Sequence, residues 1–428
     1  MFSLGKKFIN KFVAGQRTSD TSRVYLDHAS ATPLYPEVVK AMSPYFREIF
    51  GNASAIHQEG QLAKKALDEA RAKVAQILQI QPTSVTFTSG GTESNNLAIR
   101  GVVANKRKIG IPFAQMEIIT TRIEHPATIK TMDYLAREGV KIHYVAVDSN
   151  GRVILTELKK LINVQTILVV VSYVNSEIGT IEDLGAIKRL LIKGAPSLQH
   201  ILLYVDAAQA PLWLPCELAR FKIDLMSFDA SKFGGPKGVG ILAHGKGIDL
   251  EPIIFGGGQE NGLRPGTEPL AQIVGATIAL GIAQGSWLER SLSVRKMRDY
   301  FILQLTRKIP GMIINGDIGM NRVANNVNLS IPGLDSEFAV VVFDTYGVAI
   351  STKSACSSAG GGKSAVVMEI SGEVGRATST LRFTLGETNT KKEIDKTVDI
   401  LIKHLKNVGI RYFFFDNDIF ILLYRVVS

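Results

Sequence analysis

The chain has 428 residues, close to three times the ~150 of a typical domain, so one large and one small domain, or two to three in all, is the starting expectation. Apolar residues make up 46% and charged residues 21%, with 39 glycines and 15 prolines, a balance that excludes a disordered, collagenous or fibrous chain. The formal charge of +10 is scattered, which speaks for an ordinary solvated surface and against direct nucleic-acid binding. In chain order, residues 1–23 come first as a basic extension. Leu4, Phe8, Phe12 and Val13 recur at near-helical spacing beside Lys6, Lys7 and Lys11, and Asp20 is the only acid. The pattern leaves three readings open: a mitochondrial-type targeting helix, a membrane-surface anchor through residues 1–13, and a plain extension. No run approaches the ~18 apolar residues that span a bilayer, so a soluble chain is expected.

From Tyr25 two kinds of segment alternate. Amphipathic stretches such as Leu62, Ala66, Ala70, Val74 and Ile77 predict helices. Between them lie short, fully apolar runs: Val85 to Phe87, Glu117 to Thr121, Thr166 to Val174, Ile201 to Val205 and Leu225 to Phe228. Runs apolar on both faces and separated by helices predict a mostly parallel sheet covered on each side. Such a sheet binds its ligand beyond the carboxyl ends of its strands. Five polar clusters follow the five runs: Ser89-Gly90-Gly91-Thr92, Glu124-His125, Asn175-Ser176-Glu177, Asp206-Ala207-Ala208-Gln209 and Asp229-Ala230-Ser231-Lys232. Past Gly262 a long helical stretch, Leu270 to Gln284 and on through Lys308, leads into a second α/β segment, where Val340 to Phe343 and Thr380 to Leu385 read as strands. Ile394, Val398, Leu401, Leu405 and Val408 then share one helical face. These features predict a large domain over residues 24–265, a linking helix and smaller C-terminal domain over 266–408, and an apolar tail over 409–428. A return of the first 20–25 residues to the smaller domain is a further expectation.

Lys232 sits among small residues, Asp-Ala-Ser-Lys-Phe-Gly-Gly-Pro-Lys-Gly, where an amine can be desolvated enough to form a Schiff base. Pyridoxal phosphate needs a lysine for its aldehyde, a carboxylate for its ring nitrogen, a stacking ring and phosphate donors. Lys232, Asp206, His125 and the Gly91-Thr92 helix start can supply them. Of the two cysteines, Cys356 lies in a Ser/Ala/Gly-rich stretch, Ser351 through Gly362, that reads as a flexible loop, whereas Cys216 has no motif around it. Two cysteines without a C-x-x-C spacing suit neither a disulfide framework nor a metal site, so no metal is expected and a reducing compartment is favoured.

Taken in order, Tyr-Leu-Asp-His-Ala-Ser-Ala-Thr-Pro (25–33), Gly-Asn-Ala-Ser-Ala-Ile-His (51–57), Phe-Thr-Ser-Gly-Gly-Thr-Glu-Ser (87–94), Glu-His (124–125), Val-Asn-Ser-Glu-Ile-Gly (174–179), Val-Asp-Ala-Ala-Gln (205–209), Gly-Gly-Gly-Gln-Glu-Asn-Gly-Leu-Arg-Pro-Gly-Thr (256–267) and Ser-Ala-Cys-Ser-Ser (354–358) resemble a cysteine desulfurase. The resemblance is to the NifS/IscS branch of the class V aminotransferase-like, fold type I pyridoxal phosphate enzymes, and it covers residues 24–408. It implies a large domain with a mostly parallel seven-stranded sheet, a smaller C-terminal α/β domain, and a homodimer. It further implies that Lys232 holds the cofactor aldehyde and shuttles protons, that Asp206 keeps the ring nitrogen protonated, and that Gln209 donates to the ring hydroxyl. His125 would stack on the ring and act as acid and base. Gly91, Thr92 and Ser231 would contact the phosphate, joined by Thr267 from the neighbouring subunit. Arg382, with Asn175, would bind the substrate carboxylate, and Asn175 and Ser176 would border the cofactor. Cys356, activated by His125 or Lys353, would attack the sulfur of L-cysteine, leaving alanine and a persulfide for an iron–sulfur scaffold or a tRNA-thiolation relay, in the cytoplasm or, if residues 1–23 are a targeting segment, in mitochondria.

Three features depart from the branch. Ser176 stands where a second asparagine is usual, Asp229 and Ser231 stand where serine and histidine commonly precede the lysine, and the tail after Gly409 is unlike the usual C-terminus. A carboxylate near a dianionic phosphate is repulsive unless it is paired or points away, so Asp229 is not expected to bind phosphate. Competing readings are a selenocysteine lyase, a true transaminase, which has no need of the Ser-Ala-Cys loop, and a non-catalytic scaffold, which has no reason to keep the full set.

Overall fold

The structure, a computed structural model, describes residues 23–194, 200–352 and 362–410. The expectations for the extension up to Ser22, the tail from Arg411 onward and the Cys356 loop lie outside the described residues. Strand β1 (Val24–Tyr25) opens the chain. Seven strands then build the main sheet: β2 (Val85–Thr88), β3 (Glu117–Thr120), β4 (Lys141–Tyr144), β5 (Thr166–Ser172), β6 (Leu202–Asp206), β7 (Leu225–Asp229) and β8 (Gly240–His244). Their order is β2-β8-β7-β6-β5-β3-β4. The pairs β3/β4, β3/β5, β5/β6 and β6/β7 are parallel, and β8 runs antiparallel to both neighbours. This is the mostly parallel, seven-stranded sheet expected.

The reason for the apolar runs is visible in β5. Val169 and Val171 point into one hydrophobic cluster, while Leu168 and Val170 enter a second on the opposite face. Alternate residues of a strand face opposite ways, so a strand covered on both sides is apolar throughout. Helices Gly91–Lys108 and Pro126–Arg137 cover one face with Leu97, Val102, Met132 and Leu135. Strands β4 and β8 lack this signature. β4 is a half-buried edge strand that carries Lys141 and His143, and β8 begins at a glycine and ends at a histidine.

Beyond the main sheet lie β9 (Ile313–Ile314), β10 (Asn326–Ser330), β11 (Val348–Ala349) and β12 (Thr380–Thr384). The order β12-β10-β9 forms an antiparallel sheet, and β1 pairs in parallel with β11, which joins Val24 and Tyr25 to the later part of the chain. Two expectations are corrected here. Val340 to Phe343 is not a strand but part of a helix, Ser336–Thr345. Asp335 caps that helix by accepting a hydrogen bond from the Phe338 amide, and burial of Ala339 and Phe343 leaves Val341 60% exposed, a period of four and not two. The stretch from Leu270 to Lys308 is two helices, Leu270–Gly285 and Trp287–Lys308, bent by 70° at Ser286. Among the described residues no single helix is long and apolar enough to cross a membrane.

Candidate active site

The five polar clusters all lie at the main sheet's carboxyl edge. Asp206 is the last residue of β6 and is 9% exposed. Its Oδ2 accepts a 2.8 Å hydrogen bond from Asn95 Nδ2 and its Oδ1 one of 3.0 Å from the Ala208 amide. The Asn95 oxygen is claimed by two hydroxyls, Tyr204 at 2.5 Å and Ser227 at 3.0 Å, so the Asn95 amide nitrogen must face the carboxylate. Burial pushes the Tyr204 phenol well above its ordinary pKa, which keeps it a donor. The result is a buried carboxylate held by neutral amides. Its charge still calls for a cation.

Asn95 was not among the residues singled out from the sequence. The signal was there: with Ala98 and Val102 it lies on one buried helical stripe, and an amide on such a stripe needs partners.

Lys232 ends a short helical turn after β7, and its Nζ donates to the Ser30 carbonyl at 2.5 Å. Gln209 Nε2 likewise donates to the Ala29 carbonyl at 2.9 Å. Thr32 is tied to Ser231 and Gly234 through its amide and its hydroxyl. On the other side, Arg382, in the middle of β12 and 2% exposed, reaches Asp27 Oδ1 and Ser30 Oγ, each at 2.9 Å, with one nitrogen, and the Ser176 carbonyl at 3.0 Å with another. Residues 27–32 thus form a turn gripped from the main sheet by Gln209 and Lys232 and from the smaller sheet by Arg382 and Thr384. The sequence motif marked this segment without giving it a task. Arg382 Nε is buried with no partner. An unpaired edge of a buried guanidinium is a fit for one oxygen of a ligand carboxylate.

His125 caps the helix Pro126–Arg137: its Nδ1 accepts from the Ala127 amide at 3.1 Å, so the hydrogen of the neutral ring is on Nε2. With Thr92, Asn96, Arg100 and Lys130 it lines a cavity of about 380 Å³. Next to it, Glu124 is fully enclosed. Burial pushes its carboxyl up to about 7, against the pull of hydrogen bonds from Ser172 and Thr121. Asn175 is committed to the backbone, donating to the Ile123 carbonyl and accepting from the amides of Glu177 and Ile178. In this arrangement it shapes the turn that presents the Ser176 carbonyl to Arg382.

The helix Gly91–Lys108 starts at the carboxyl end of β2, entered through Gly90 at φ 149°, a conformation that favours glycine. Asp229, at the end of β7, lies over this start. Its Oδ2 accepts from the Gly91 amide at 3.3 Å, and its Oδ1 accepts from the Ser231 amide at 3.0 Å and the Ser231 hydroxyl at 2.7 Å. Thr267 is exposed in the loop before the helix Leu270–Gly285, away from these contacts. That loop is fixed by Arg264 on Glu93 and by a bidentate pair of Arg71 with the buried Glu260. Cys356 and Lys353 lie outside the described residues, but both flanks of their segment are tied in: Ser351 pairs with the Arg382 backbone and Ser364 Oγ meets Glu177 Oε2 at 2.5 Å. Cys216 is a buried core cysteine whose thiol pKa burial raises well above the ordinary value.

Known proteins share this arrangement of chain. The family described as aminotransferase class-V matches residues 24–397. A curated relative, cysteine desulfurase IscS of Dictyoglomus turgidum, is 38% identical over 378 residues, 88% of this chain and 93% of its own. Cysteine desulfurase IscS of Methanosarcina thermophila is 35% identical over 395 residues, 92% and 95% of the two chains. Among solved structures, one titled NifS-like protein superposes with a TM-score of 0.82 at 34% identity, covering 90% of this chain and all of that one. The chain belongs to the class-V aminotransferase family.

Proposed function

We propose that this class-V aminotransferase is a cysteine desulfurase, which takes sulfur from free L-cysteine with the help of pyridoxal phosphate, releases L-alanine, and passes persulfide sulfur to an acceptor protein. The observation that carries the reading is Asp206, a buried carboxylate on neutral amides, one strand away from the Lys232 turn. That carboxylate fits a protonated pyridine nitrogen, and Lys232, whose amine donates to a carbonyl, fits an aldehyde. When bound, pyridoxal phosphate supplies the electron sink that makes a Cα proton acidic and a carbon–sulfur bond breakable.

The chain's own residues do the rest. Asp206 would fix the charge at the ring nitrogen, Lys232 would hold the aldehyde and move the proton at Cα, and His125 would offer its Nε2–H to the bound ring. Gln209, whose Nε2 now donates to the Ala29 carbonyl, would donate to the ring hydroxyl. Arg382 binds the substrate carboxylate through its unpaired Nε edge, with Asn175 and Ser176 forming the wall behind it. Gly91, Thr92 and Ser231 border the phosphate end, completed by Thr267 from a second copy of the chain. Cys356 takes the sulfur: its thiolate attacks the sulfur of the bound cysteine, the carbon–sulfur bond breaks with its electrons left on carbon, and a proton then completes alanine. We read residues 24–265 as the cofactor-binding unit and 266–408 as the unit that brings Arg382 and the Cys356 loop.

The test is to incubate the purified protein and its variants with L-cysteine and measure alanine and protein-bound persulfide. The wild type should be yellow with bound cofactor and should form both products. Lys232→Ala should lose the colour, and Cys356→Ala should keep it yet form no persulfide. A colourless wild type after cofactor addition removes the cofactor reading, and a Cys356→Ala variant that desulfurates at full rate removes Cys356 as the nucleophile.

A further inference from the structure

Three donors at the start of the helix Gly91–Lys108 already meet an anion. The Gly91 amide, the Ser231 amide and the Ser231 hydroxyl all donate to the Asp229 carboxylate. The fit is close: a Cβ added at Gly91 would stand 3.3 Å from Asp229 Cβ and 3.4 Å from its Oδ2, so the carboxylate rests on the first helical turn itself. A helix start with free amides draws a negative group, and here the chain supplies that group from the next strand end. Thr92, by contrast, is exposed, and its described hydrogen bond is made by its carbonyl, which accepts from Asn96.

We infer that Asp229 is an internal stand-in for the cofactor's phosphate and the residue that sets how strongly this chain prefers a phosphorylated over an unphosphorylated pyridoxal. The inference rests on the cofactor reading above and deepens it. In the cofactor-free chain the carboxylate keeps the Gly91 and Ser231 donors aligned. A phosphate that takes those donors must first displace Asp229 and then sit beside its charge, so part of the attraction of the cradle is cancelled. Pyridoxal, which lacks the phosphate, leaves Asp229 where it is and loses nothing. The preference for the phosphorylated form is therefore compressed in this chain, and Asp229 compresses it.

The experiment titrates cofactor-free protein with pyridoxal phosphate and, separately, with pyridoxal, reading the absorbance of the bound ring, for the wild type, Asp229→Ser and Asp229→Asn. Asp229→Ser should tighten pyridoxal phosphate roughly tenfold or more and leave pyridoxal within about twofold. Asp229→Asn keeps the shape of the side chain and an oxygen for the Ser231 donors while removing the charge, and should move the ratio in the same direction, so the inference stays testable if the serine variant folds poorly. Inorganic phosphate should compete with pyridoxal phosphate more effectively in both variants than in the wild type. If either folded variant keeps the wild-type ratio of the two affinities, Asp229 does not set the preference, although the cofactor reading stands. If neither probe binds to the wild type or to the variants, the cofactor reading falls and this inference with it.

Discussion

Asp206 and Asp229 end neighbouring strands of one sheet, are the same residue, and are handled in opposite ways. Asp206 is met by side-chain and backbone amides, Asn95 and Ala208, which orient it without neutralising it. Asp229 is met by the amide of a helix start and by the serine two residues on, groups suited to hold an anion in place. The first carboxylate is left in need of a cation and the second already has what an anion wants. The contrast teaches that the position of an acid at a strand end marks the site but does not give its task. The task comes from what the helix opposite offers: a side-chain amide on its inner face for Asp206, its open amide end for Asp229.

The contrast can be broken most severely at Asp206. Asp206→Asn should lower turnover about 10²- to 10³-fold, by removing the charge that keeps a ring nitrogen protonated, while the cofactor still binds. Steady-state alanine formation and the absorbance of the bound cofactor check the two halves. If Asp206→Asn and Asp229→Asn change turnover alike, the two acids do not differ in kind. A smaller effect follows from Asn95→Leu, which leaves Asp206, Tyr204 and Ser227 without their common partner. Turnover should fall about tenfold and the protein should lose about 1–3 kcal/mol of stability, measured by denaturant unfolding.

The mildest test concerns Glu124, the third acid of this edge. Burial raises its folded carboxyl to about 7, above the ordinary range, so between about pH 4.5 and 7 the folded state binds more protons than the unfolded one. Stability therefore falls as pH rises through that window and levels off above it. Glu124→Gln should flatten that part of the stability profile and leave stability at pH 5 almost unchanged. An unaltered slope in the variant would assign the proton uptake to another group.

The strand ends were legible because burial on both faces forces apolar runs, and polar residues directly after such runs have few other reasons to be there. Lys232, Asp206, His125 and Thr92 could be found that way, each at its strand or helix end. Asn95 is not at a strand end; its place on a buried helical stripe marks it as needing partners, but those partners, Tyr204 and Ser227, lie more than 100 residues away and only the fold names them. The run from Val340 to Phe343 misled for a related reason. β-branched residues suggest a strand, yet the Asp335 cap and the exposed Val341 show a helix whose face toward the core is only one residue in four. The pairing of Asp229 with a helix start was the hardest to see. The sequence exposed the mismatch between carboxylate and phosphate, but only the spatial approach of β7 to Gly91 shows how the chain resolves it.

The turn over residues 27–32 also fixes when the site comes into existence. It accepts hydrogen bonds from Gln209, Lys232 and Arg382 and donates one from the Ala29 amide to Thr384 Oγ1, so it joins partners from the start, the middle and nearly the end of the chain. Contacts of such long sequence separation close late in folding, after their intervening elements are placed. During synthesis, the strands of the main sheet emerge long before Arg382, so the turn waits for its arginine. Until β12 is made, β10 lacks its partner strand and the turn lacks both Thr384 and Arg382, so the two halves of the site are joined only when the chain is nearly finished.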